Sequence, residues 1–371
     1  MTSPLATPPS RSAGPLLSPR SFSRRGLAAA ALAVVAGLGL AGCSTGPAGA
    51  QEAGTAPAAT AGYPVTIKHA FGETTLEHEP RRVVTVSWVN DDVALALGVV
   101  PVGLPKNDWG GNSRASTPWK DAALDRLGAG AGSAKAPTQY SEADGINFAE
   151  IAKLNPDVIL GAYSGLSEED YRKLSDIAPV VAQPGVAYGT AWQDSTAMIG
   201  KALGKEAEAA SLVAKTEATV RDKAAAYPQL AGKTFIYGNL EPAKSDGVNI
   251  YTANDNRPRF LSSLGMTLAP VVASNTKDSK EFFIPWSAEK ANELASDLFV
   301  TWIPDAKTAD SIKQHPLLGQ IPAIRKGALV ADPDNTLTLS ISAASPLSLP
   351  WALDRFLPQL AAAADTAAAA K

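Results

Sequence analysis

The sequence predicts an α/β protein built from two α/β halves that a helical connector joins. In the first half, short β-branched runs alternate with segments of helical periodicity. Residues 190–228 then interrupt this alternation with almost forty residues that are mainly Ala, Lys, Glu, Leu and Met. After Pro228 the alternation resumes and continues toward the end of the chain. Strands that alternate with helices pair largely in parallel, so each half should contain its own sheet.

The first half opens with two short strands around Gly72 and then enters a buried strand. The run 83–86 is apolar and β-branched, as expected of a strand that is buried on both faces. A helix over 90–97 follows, and Asn90 or Asp91 can cap it. The other elements predicted here are strands at 65–69, 71–76, 99–104, 157–160 and 179–182 and helices at 147–154 and 168–177.

The connector predicts two consecutive helices, because Gly200 and Gly204 are its only helix-weakening residues and Pro228 ends it. In the longer second helix, apolar side chains recur at a spacing of three and four residues, so one face should be buried. That face comprises Ala209, Leu212, Val213, Thr216 and Val220.

The second half repeats the strand–helix pattern and closes with a long helix. Strands are predicted at 234–237, 298–302 and 328–331, and helices at 257–264, 288–294 and 351–364. The predicted organisation is a signal peptide at 1–42, a linker at 43–62, lobes at 63–189 and 229–371, and the connector at 190–228 between them.

The N-terminal segment predicts export and anchoring. Residues 26–43 are glycine and apolar side chains after Arg24 and Arg25, a pattern typical of a secretory signal and too short for a spanning helix. The sequence LAGC at 40–43 resembles a bacterial lipoprotein lipobox, which implies that Cys43 becomes the acylated first residue of an extracytoplasmic protein. The paired arginines fit either twin-arginine export or an ordinary basic flank. Residues 43–62 are rich in Ala, Gly, Pro, Ser and Thr, so they should form a flexible spacer.

Composition excludes several classes of function. Removal of residues 1–42 takes away four arginines and no acid, so 29 basic side chains face 36 acidic ones and the mature net charge is about -7. This balance argues against nucleic-acid binding. A single cysteine excludes an internal disulfide and a cysteine-based zinc site. The three histidines are far apart, and neither HExxH nor GxSxG occurs. An α/β lipoprotein enzyme remains the alternative from a different class, and turnover without a transporter would distinguish it.

Several segments together resemble a known family. Their order, their spacing and the lipobox are similar to the iron-siderophore substrate-binding lipoproteins of ABC importers, which have heme and vitamin B12 carriers as relatives. The resemblance implies the class III fold, in which a helical spine joins two α/β lobes around a ligand cleft. It implies no catalysis and no resident cofactor, because iron arrives inside the siderophore, and we expect a monomer. The segments are PRRVV at 80–84, IAKLNPDVIL at 151–160, LSDIAP at 174–179, SAE at 287–289 and IPAIR at 321–325.

Aromatic residues near strand ends are the candidates for this cleft, since ligands of open α/β sheets bind beyond the carboxyl ends of strands. An aromatic residue at a strand end is often a core residue, so about half of these should pack inside. By the strand-end rule the candidates are Trp88, Trp109, Tyr163, Tyr237 and Trp302, of which we rank Trp88, Trp109 and Tyr163 highest. The family pattern adds Tyr140 and Phe283.

The expected cargo is a ferric siderophore, whose iron is already saturated by chelating oxygens and whose apolar rim suits aromatic faces. An anionic catecholate complex would require arginines, and only Arg114 and Arg257, with Lys106 as a weaker third, are expected near the rim. The small number of basic side chains expected near the rim of the cleft favours a hydroxamate siderophore. Alternatively, Arg257 lies in a turn beside Asp255 and is exposed to solvent. Heme would have to rely on a tyrosine such as Tyr163 for ligation.

Two acids are candidates for contact with an ABC permease. The resemblance implies that each lobe offers a carboxylate to permease arginines, and Glu289 of the SAE segment stands where that pattern places it. Glu150 is its nearest counterpart in the first lobe, although relatives often carry the acid one residue earlier, at the position of Ala149. An ordinary exposed acid in a first helical turn is the alternative for both.

Overall fold

The computed structural model describes residues 62–244 and 247–370. The predicted signal peptide, Cys43 and residues 43–61 of the linker lie outside the described residues. The described part opens with an antiparallel hairpin, in which β1 (Val65–His69) pairs with β2 (Gly72–Leu76). Gly72 makes the turn with a φ of 122°, which a residue with a side chain rarely adopts.

The first lobe is built on a five-stranded parallel sheet with the order β5-β4-β3-β6-β7. The predicted strand at 99–104 is reduced to its last two residues plus Pro105, because Val99 bonds back to the end of the preceding helix and Pro101 has no amide to donate. The strands are β3 (Val83–Thr85), β4 (Gly103–Pro105), β5 (Thr138–Tyr140), β6 (Val158–Leu160) and β7 (Val180–Val181). The helices are α1 (Asn90–Ala96), α2 (Pro118–Arg126), α3 (Phe148–Lys153) and α4 (Glu168–Ser175).

Two helices follow the first sheet, α5 (Trp192–Ala202) and the twenty-residue α6 (Glu206–Ala225). The buried side chains of α6 are Ala209, Thr216 and Val220, which lie on the face that the spacing predicts. Ala209 packs into the core of the first lobe, whereas Val220 packs into the core of the second. One helix therefore contributes to the hydrophobic cores of both lobes.

The second lobe contains a mixed six-stranded sheet with the order β11-β9-β8-β12-β13, and β10 pairs with β8. β9 runs antiparallel to both β8 and β11, and the other pairs are parallel. The strands are β8 (Thr234–Leu240), β9 (Val248–Tyr251), β10 (Thr267–Leu268), β11 (Phe283–Pro285), β12 (Leu298–Trp302) and β13 (Leu329–Asp332).

The helices of the second lobe are α7 (Asn256–Ser263), α8 (Pro270–Asn275), α9 (Lys307–Gln314), α10 (Pro322–Arg325), α11 (Asn335–Ser342) and α12 (Ser348–Ala369). Short 3₁₀ helices lie at Pro228–Leu230, Ala288–Glu293 and Leu318–Gln320. The helix predicted at 288–294 is the second of these, and the non-helical backbone of Lys290 (φ -101°, ψ 16°) interrupts it. None of the helices formed by the described residues has both the length and the apolar character needed to cross a membrane.

Buried contacts also join the two lobes directly. Asp92 of α1 accepts hydrogen bonds from Ser345 Oγ at 2.8 Å and from Trp119 Nε1 at 2.6 Å. The Trp119 ring packs against Trp351 of α12, with their centroids 5.1 Å apart. The lobes are thus connected through this polar and aromatic junction as well as through α6.

Candidate ligand cavity

A cavity of about 410 Å³ lies between the two lobes, and aromatic side chains dominate its walls. The aromatic lining consists of Trp88, Trp109, Tyr163 and Tyr188 from the first lobe and Tyr251, Phe282 and Trp302 from the second. Asn239, Asp255, Arg257 and three residues of α11, Thr338, Leu339 and Ser342, complete the lining.

The topology brings these rings together because both sheets direct the carboxyl ends of parallel strands toward the cavity. Trp88 follows β3, Trp109 follows β4, and Trp302 is the last residue of β12. Trp109 and Trp302 meet edge to face across the lobes, with centroids 6.0 Å apart and planes at 68°. Tyr188 and Phe282 make a second contact of this kind, at 6.4 Å and 74°. Edge-to-face geometry leaves ring faces available to a ligand.

Trp88 is presented by an unusual backbone segment. Ser87 and Val89 on either side of it both have a φ of 60°, in the left-handed region that β-branched residues rarely enter. The fully buried side chain of Asn90 holds the segment by donating hydrogen bonds to Val86 O at 2.8 Å and to Trp88 O at 3.0 Å. The Trp88 side chain retains 42% exposure and faces the cavity.

Arg257 is held at the cavity wall by a bidentate ion pair. Its Nε and Nη2 atoms donate to the two carboxylate oxygens of Asp255 at 2.7 and 2.6 Å, and both side chains are largely buried. The guanidinium carbon also lies 3.4 Å from the centroid of the Tyr251 ring. Asp255 further accepts the backbone N–H of Arg257 and so caps α7. The pair adds no net charge to the cavity.

Burial changes the acidity of several groups around the cavity. It raises the pKa of the Tyr163 hydroxyl, which donates to Ser342 O of the other lobe at 3.2 Å. It also raises the pKa of Glu142, which accepts from Ser87 N–H, to about 7. Asp332 at the end of β13 has a pKa raised to about 6 for the same reason. Within the part of the chain that the structure describes, no three His, Cys, Asp or Glu side chains are grouped to hold a metal ion.

The structure brings together five of the eight residues predicted to bind ligand: Trp88, Trp109, Tyr163, Arg257 and Trp302. The other three lie outside the lining. Tyr140 is buried in the core, where its hydroxyl donates to Thr85 O. Tyr237 lies within β8, which continues to Leu240, and packs behind Tyr251. Phe283 is an exposed residue of β11, and its neighbour Phe282 lines the cavity instead.

Sequence reasoning missed Tyr188, Tyr251, Phe282 and all of α11. Tyr188 follows β7 after a short loop, so the rule of strand ends could have found it. Tyr251 ends the antiparallel strand β9, to which that rule does not apply. No simple pattern indicates Phe282, which lies just before the edge strand β11.

The remaining candidates lie away from the cavity lining. Glu150 is in the first turn of α3 and forms an exposed ion pair with Lys153 at 2.5 Å. Glu289 is an exposed residue of the 3₁₀ helix that follows β11. Arg114 pairs with Asp121 rather than facing the cavity, and Lys106 is exposed.

Comparison with known proteins gives consistent matches over the two lobes. Residues 83–336 match the family model described as periplasmic binding protein. The crystal structure of PiaA from Streptococcus pneumoniae in complex with ferrichrome is 35% identical in sequence, with a TM-score of 0.74, and the match covers 81% of this chain and 99% of that chain. The ferric enterobactin-binding periplasmic protein FepB of Escherichia coli is 27% identical over 75% of this chain and 86% of that protein. YfiY of Bacillus subtilis, a probable siderophore-binding lipoprotein, is 29% identical over 42% of this chain and 44% of that protein.

Proposed function

We propose that this chain, which belongs to the periplasmic binding protein family, captures a ferric siderophore of the hydroxamate type and delivers it to an ABC permease. Members of this family are binding proteins of transport rather than enzymes. The cavity between the lobes is the binding site in this proposal. Its aromatic rings grip the apolar rim of the complex, and the iron needs no ligand from the protein. The protein holds its cargo without reacting with it.

One observation carries the choice of hydroxamate. Asp255 neutralises Arg257, the basic side chain of the cavity lining, through both carboxylate oxygens. A tris-catecholate complex of Fe³⁺ is strongly anionic, and burying such a charge without a cationic partner is costly. A neutral or cationic hydroxamate complex avoids this cost and gains from ring faces when it is cationic. The cavity therefore suits hydroxamates better than catecholates.

The cargo named for the relatives differs from one to another. PiaA was crystallised with ferrichrome, a hydroxamate, whereas FepB is named for ferric enterobactin, a catecholate. PiaA has the higher identity and covers a larger share of this chain. Relatedness and the charge of the cavity thus support the same class of cargo.

Heme is a poorer candidate on the geometry of Tyr163. A tyrosine that ligates heme iron does so through its phenolate oxygen. The Tyr163 side chain is almost fully buried, its hydroxyl is engaged with Ser342 O, and burial raises its pKa. Binding heme through Tyr163 would require the two lobes to break that contact.

The proposal extends to anchoring and to delivery. Acylation of Cys43 would hold the protein at the outer face of the membrane, and YfiY, which is named a lipoprotein, supports this. Glu289 and Glu150 are the proposed permease contacts, one in each lobe, and both are accessible to a partner. Replacing Cys43 with Ala should release the protein from the cell surface. Replacing Glu289 with Ala should lower uptake while leaving the affinity for cargo unchanged; equal uptake would exclude its role.

Tryptophan fluorescence titration tests the cargo, because Trp88, Trp109 and Trp302 line the cavity. Ferric hydroxamates should quench the emission saturably and stoichiometrically, and ferric catecholates, heme and cobalamin should bind more weakly or not at all. The Trp286→Phe variant is a matched control, since Trp286 lies outside the cavity lining and donates to Lys290 O. Preferential quenching by catecholates, heme or cobalamin would overturn the proposal.

A further inference from the structure

Glu142 lies behind the cavity wall, on the loop that follows β5. Its Oε2 atom accepts a hydrogen bond from the backbone N–H of Ser87 at 2.9 Å. Its Oε1 atom is buried and has no hydrogen-bond partner among the described residues. Ser87 precedes Trp88, a ring of the cavity lining. The carboxylate therefore contacts the backbone of the segment that carries a cavity tryptophan, although Glu142 does not belong to the cavity lining itself.

The segment needs such a restraint because its backbone is strained. Ser87 and Val89 both have a φ of 60°, and non-glycine residues in this region cost about 1 kcal/mol or more each. Two side chains hold the strained conformation: Asn90 binds Val86 O and Trp88 O, and Glu142 binds Ser87 N. Of these two, only Glu142 can gain or lose a proton.

We infer that Glu142 is a positioning residue that fixes the Trp88 ring through the Ser87 amide, and that its proton occupancy determines how firmly this wall of the cavity is held. An ionised carboxylate is a stronger acceptor from N–H than a neutral carboxyl group. The bond from Ser87 N–H is therefore strongest when Glu142 is ionised, because this bond favours the ionised form although burial of the carboxyl group opposes it. The part of this inference that concerns cargo affinity rests on the proposed function.

The surroundings of Glu142 place its titration near neutral pH. Desolvation raises the pKa to about 7, the Ser87 amide opposes this shift, and the carboxylate of Asp91 on α1 adds to it. Tyr140 of β5 also faces Glu142, and its own pKa is raised by burial and by this carboxylate. The wall should consequently loosen as the pH falls from about 8 to about 6.

Other titratable groups also lie near Glu142. Glu142 lines a side pocket of about 230 Å³ together with Asp170 of α4 and with Tyr188, which follows β7. Lys120 forms an ion pair with Asp91 at 2.5 Å, so it partly offsets the effect of that acid. The Glu142→Gln variant is needed to separate these contributions, because glutamine keeps an acceptor for Ser87 N–H but cannot ionise.

Fluorine NMR of unliganded protein labelled with 5-fluorotryptophan tests the inference directly. The Trp88→Phe variant assigns the Trp88 resonance, and that of Trp286 in the second lobe serves as an internal control. The Trp88 resonance should move with a midpoint near pH 7 in the parent protein and stay constant in Glu142→Gln. Asp170→Asn is the matched control, because Asp170 lines the same side pocket but bonds to Ser167 and not to Ser87. In this variant the Trp88 resonance should titrate as it does in the parent protein. A Trp88 resonance that does not titrate, or one that titrates equally in Glu142→Gln, would overturn the inference.

Cargo binding provides the second readout. With a ferric hydroxamate, Glu142→Ala should lower the affinity about tenfold, and the affinity of the parent should decrease between pH 8 and pH 6 while that of Glu142→Gln does not. The NMR result does not depend on cargo. If the Trp88 resonance titrates as described but no ferric hydroxamate binds at any pH, the proposed function fails and the positioning role stands. If hydroxamates bind with the same pH dependence in the parent and in Glu142→Gln, the positioning role fails and the proposed function stands.

Discussion

The side chain of Asn90 and the backbone of Tyr163 exchange two hydrogen bonds. Asn90 Nδ2 donates to Tyr163 O at 2.9 Å, and Tyr163 N donates to Asn90 Oδ1 at 3.0 Å. Since Asn90 also binds Val86 O and Trp88 O, one buried amide connects the loops that follow β3 and β6. Both loops carry an aromatic residue of the cavity, so the relative position of Trp88 and Tyr163 depends on this amide.

Replacing Asn90 with Ala should destabilise the protein and weaken cargo binding together. The change leaves Val86 O, Tyr163 O and Tyr163 N–H without their side-chain partner, whereas Trp88 O keeps the backbone N–H of residue 90. Each unpaired buried group costs about 1–3 kcal/mol, so a loss of about 3 kcal/mol or more is expected. Denaturant unfolding measures the free energy, and the tryptophan titration measures the affinity. Asn275→Ala is the control, because that exposed asparagine binds only the Val271 carbonyl within its own helix. A loss in Asn90→Ala no larger than in the control would contradict the role of this amide.

Replacing Asp255 with Asn should change which cargo the cavity prefers. Asparagine can still cap α7, but Arg257 would then present an uncompensated positive charge to the cavity. At cavity distances and an intermediate dielectric, one charge should raise the affinity for an anionic ferric catecholate about tenfold relative to a neutral hydroxamate. Competition titrations measure this ratio of affinities. Circular dichroism should first verify that the variant is folded.

The double variant Asp255→Asn with Arg257→Met removes both charges and is the matched control for that experiment. It should return the ratio of affinities to that of the parent protein. If Asp255→Asn leaves the ratio unchanged, the charge balance of the ion pair does not select the cargo.

Four of the five residues recovered from sequence, all of them aromatic, lie at or shortly after the carboxyl end of a parallel strand, whereas Arg257 lies in α7. That rule finds Trp88, Trp109 and Trp302 because connectivity alone determines where such residues lie. It does not give the direction of a side chain. Tyr140 ends β5, yet its ring points into the core. The sequence predicts a strand that ends at Tyr237, but the strand continues for three more residues to Leu240.

Helix α11 could not be predicted from local pattern. Its sequence NTLTLSIS alternates polar and apolar residues and is rich in β-branched side chains, so it favours a strand over a helix. Asp334 caps its first turn by accepting from the amides of Thr336 and Leu337. Burial then decides the outcome: six of its eight residues are buried, and Leu339 packs with Val89 and Tyr163 of the first lobe. Tertiary packing between lobes thus overrides the local preference.

The stability of the protein should fall as the pH rises from about 5 to 8, partly through Asp92. Burial, together with the neighbouring Asp91, raises the pKa of Asp92 from 3.8 to about 7, although Lys120 and two hydrogen bonds oppose this. The folded protein therefore binds this proton more tightly than the unfolded chain does. The free energy of unfolding consequently decreases with rising pH between the two pKa values and levels off above the higher one. Glu142 and Asp332, whose pKa values are also raised by burial, contribute with the same sign, because global unfolding returns both carboxyl groups to water, whereas loss of the Ser87 bond alone leaves Glu142 buried.

The Asp92→Asn variant isolates the contribution of Asp92 to the pH dependence of the free energy of unfolding. Asparagine keeps an oxygen that can accept from Trp119 and Ser345, but it does not titrate. Denaturant unfolding at several pH values should give a smaller decrease in the free energy of unfolding between pH 5 and pH 8 than in the parent. An identical pH dependence in both proteins would show that Asp92 is ionised in the folded state throughout this range.

Replacing Gly110 with Ala should disturb the contact between the lobes beside the cavity. A Cβ atom at this position would lie 2.8 Å from the backbone oxygen of Asn335 in α11, and Gly110 O accepts a hydrogen bond from Thr336 Oγ1 at 2.9 Å. Relief of the clash must move the Trp109 loop away from α11 and separate Trp109 from Trp302. We expect the affinity for a ferric hydroxamate to decrease about tenfold, as measured by titration.

Gly128→Ala is the matched control for this change, because it separates backbone strain from the clash. Gly128 has a φ of 67°, close to the 71° of Gly110, but an added Cβ would meet nothing within 4 Å. Both variants should therefore lose about 1 kcal/mol of stability from placing alanine in the left-handed region, and Gly110→Ala should lose more because of the clash. Only Gly110→Ala should also lose affinity. Equal affinities in the two variants would mean that the cavity tolerates displacement of the Trp109 loop, and that the edge-to-face pair across the lobes does not contribute to binding.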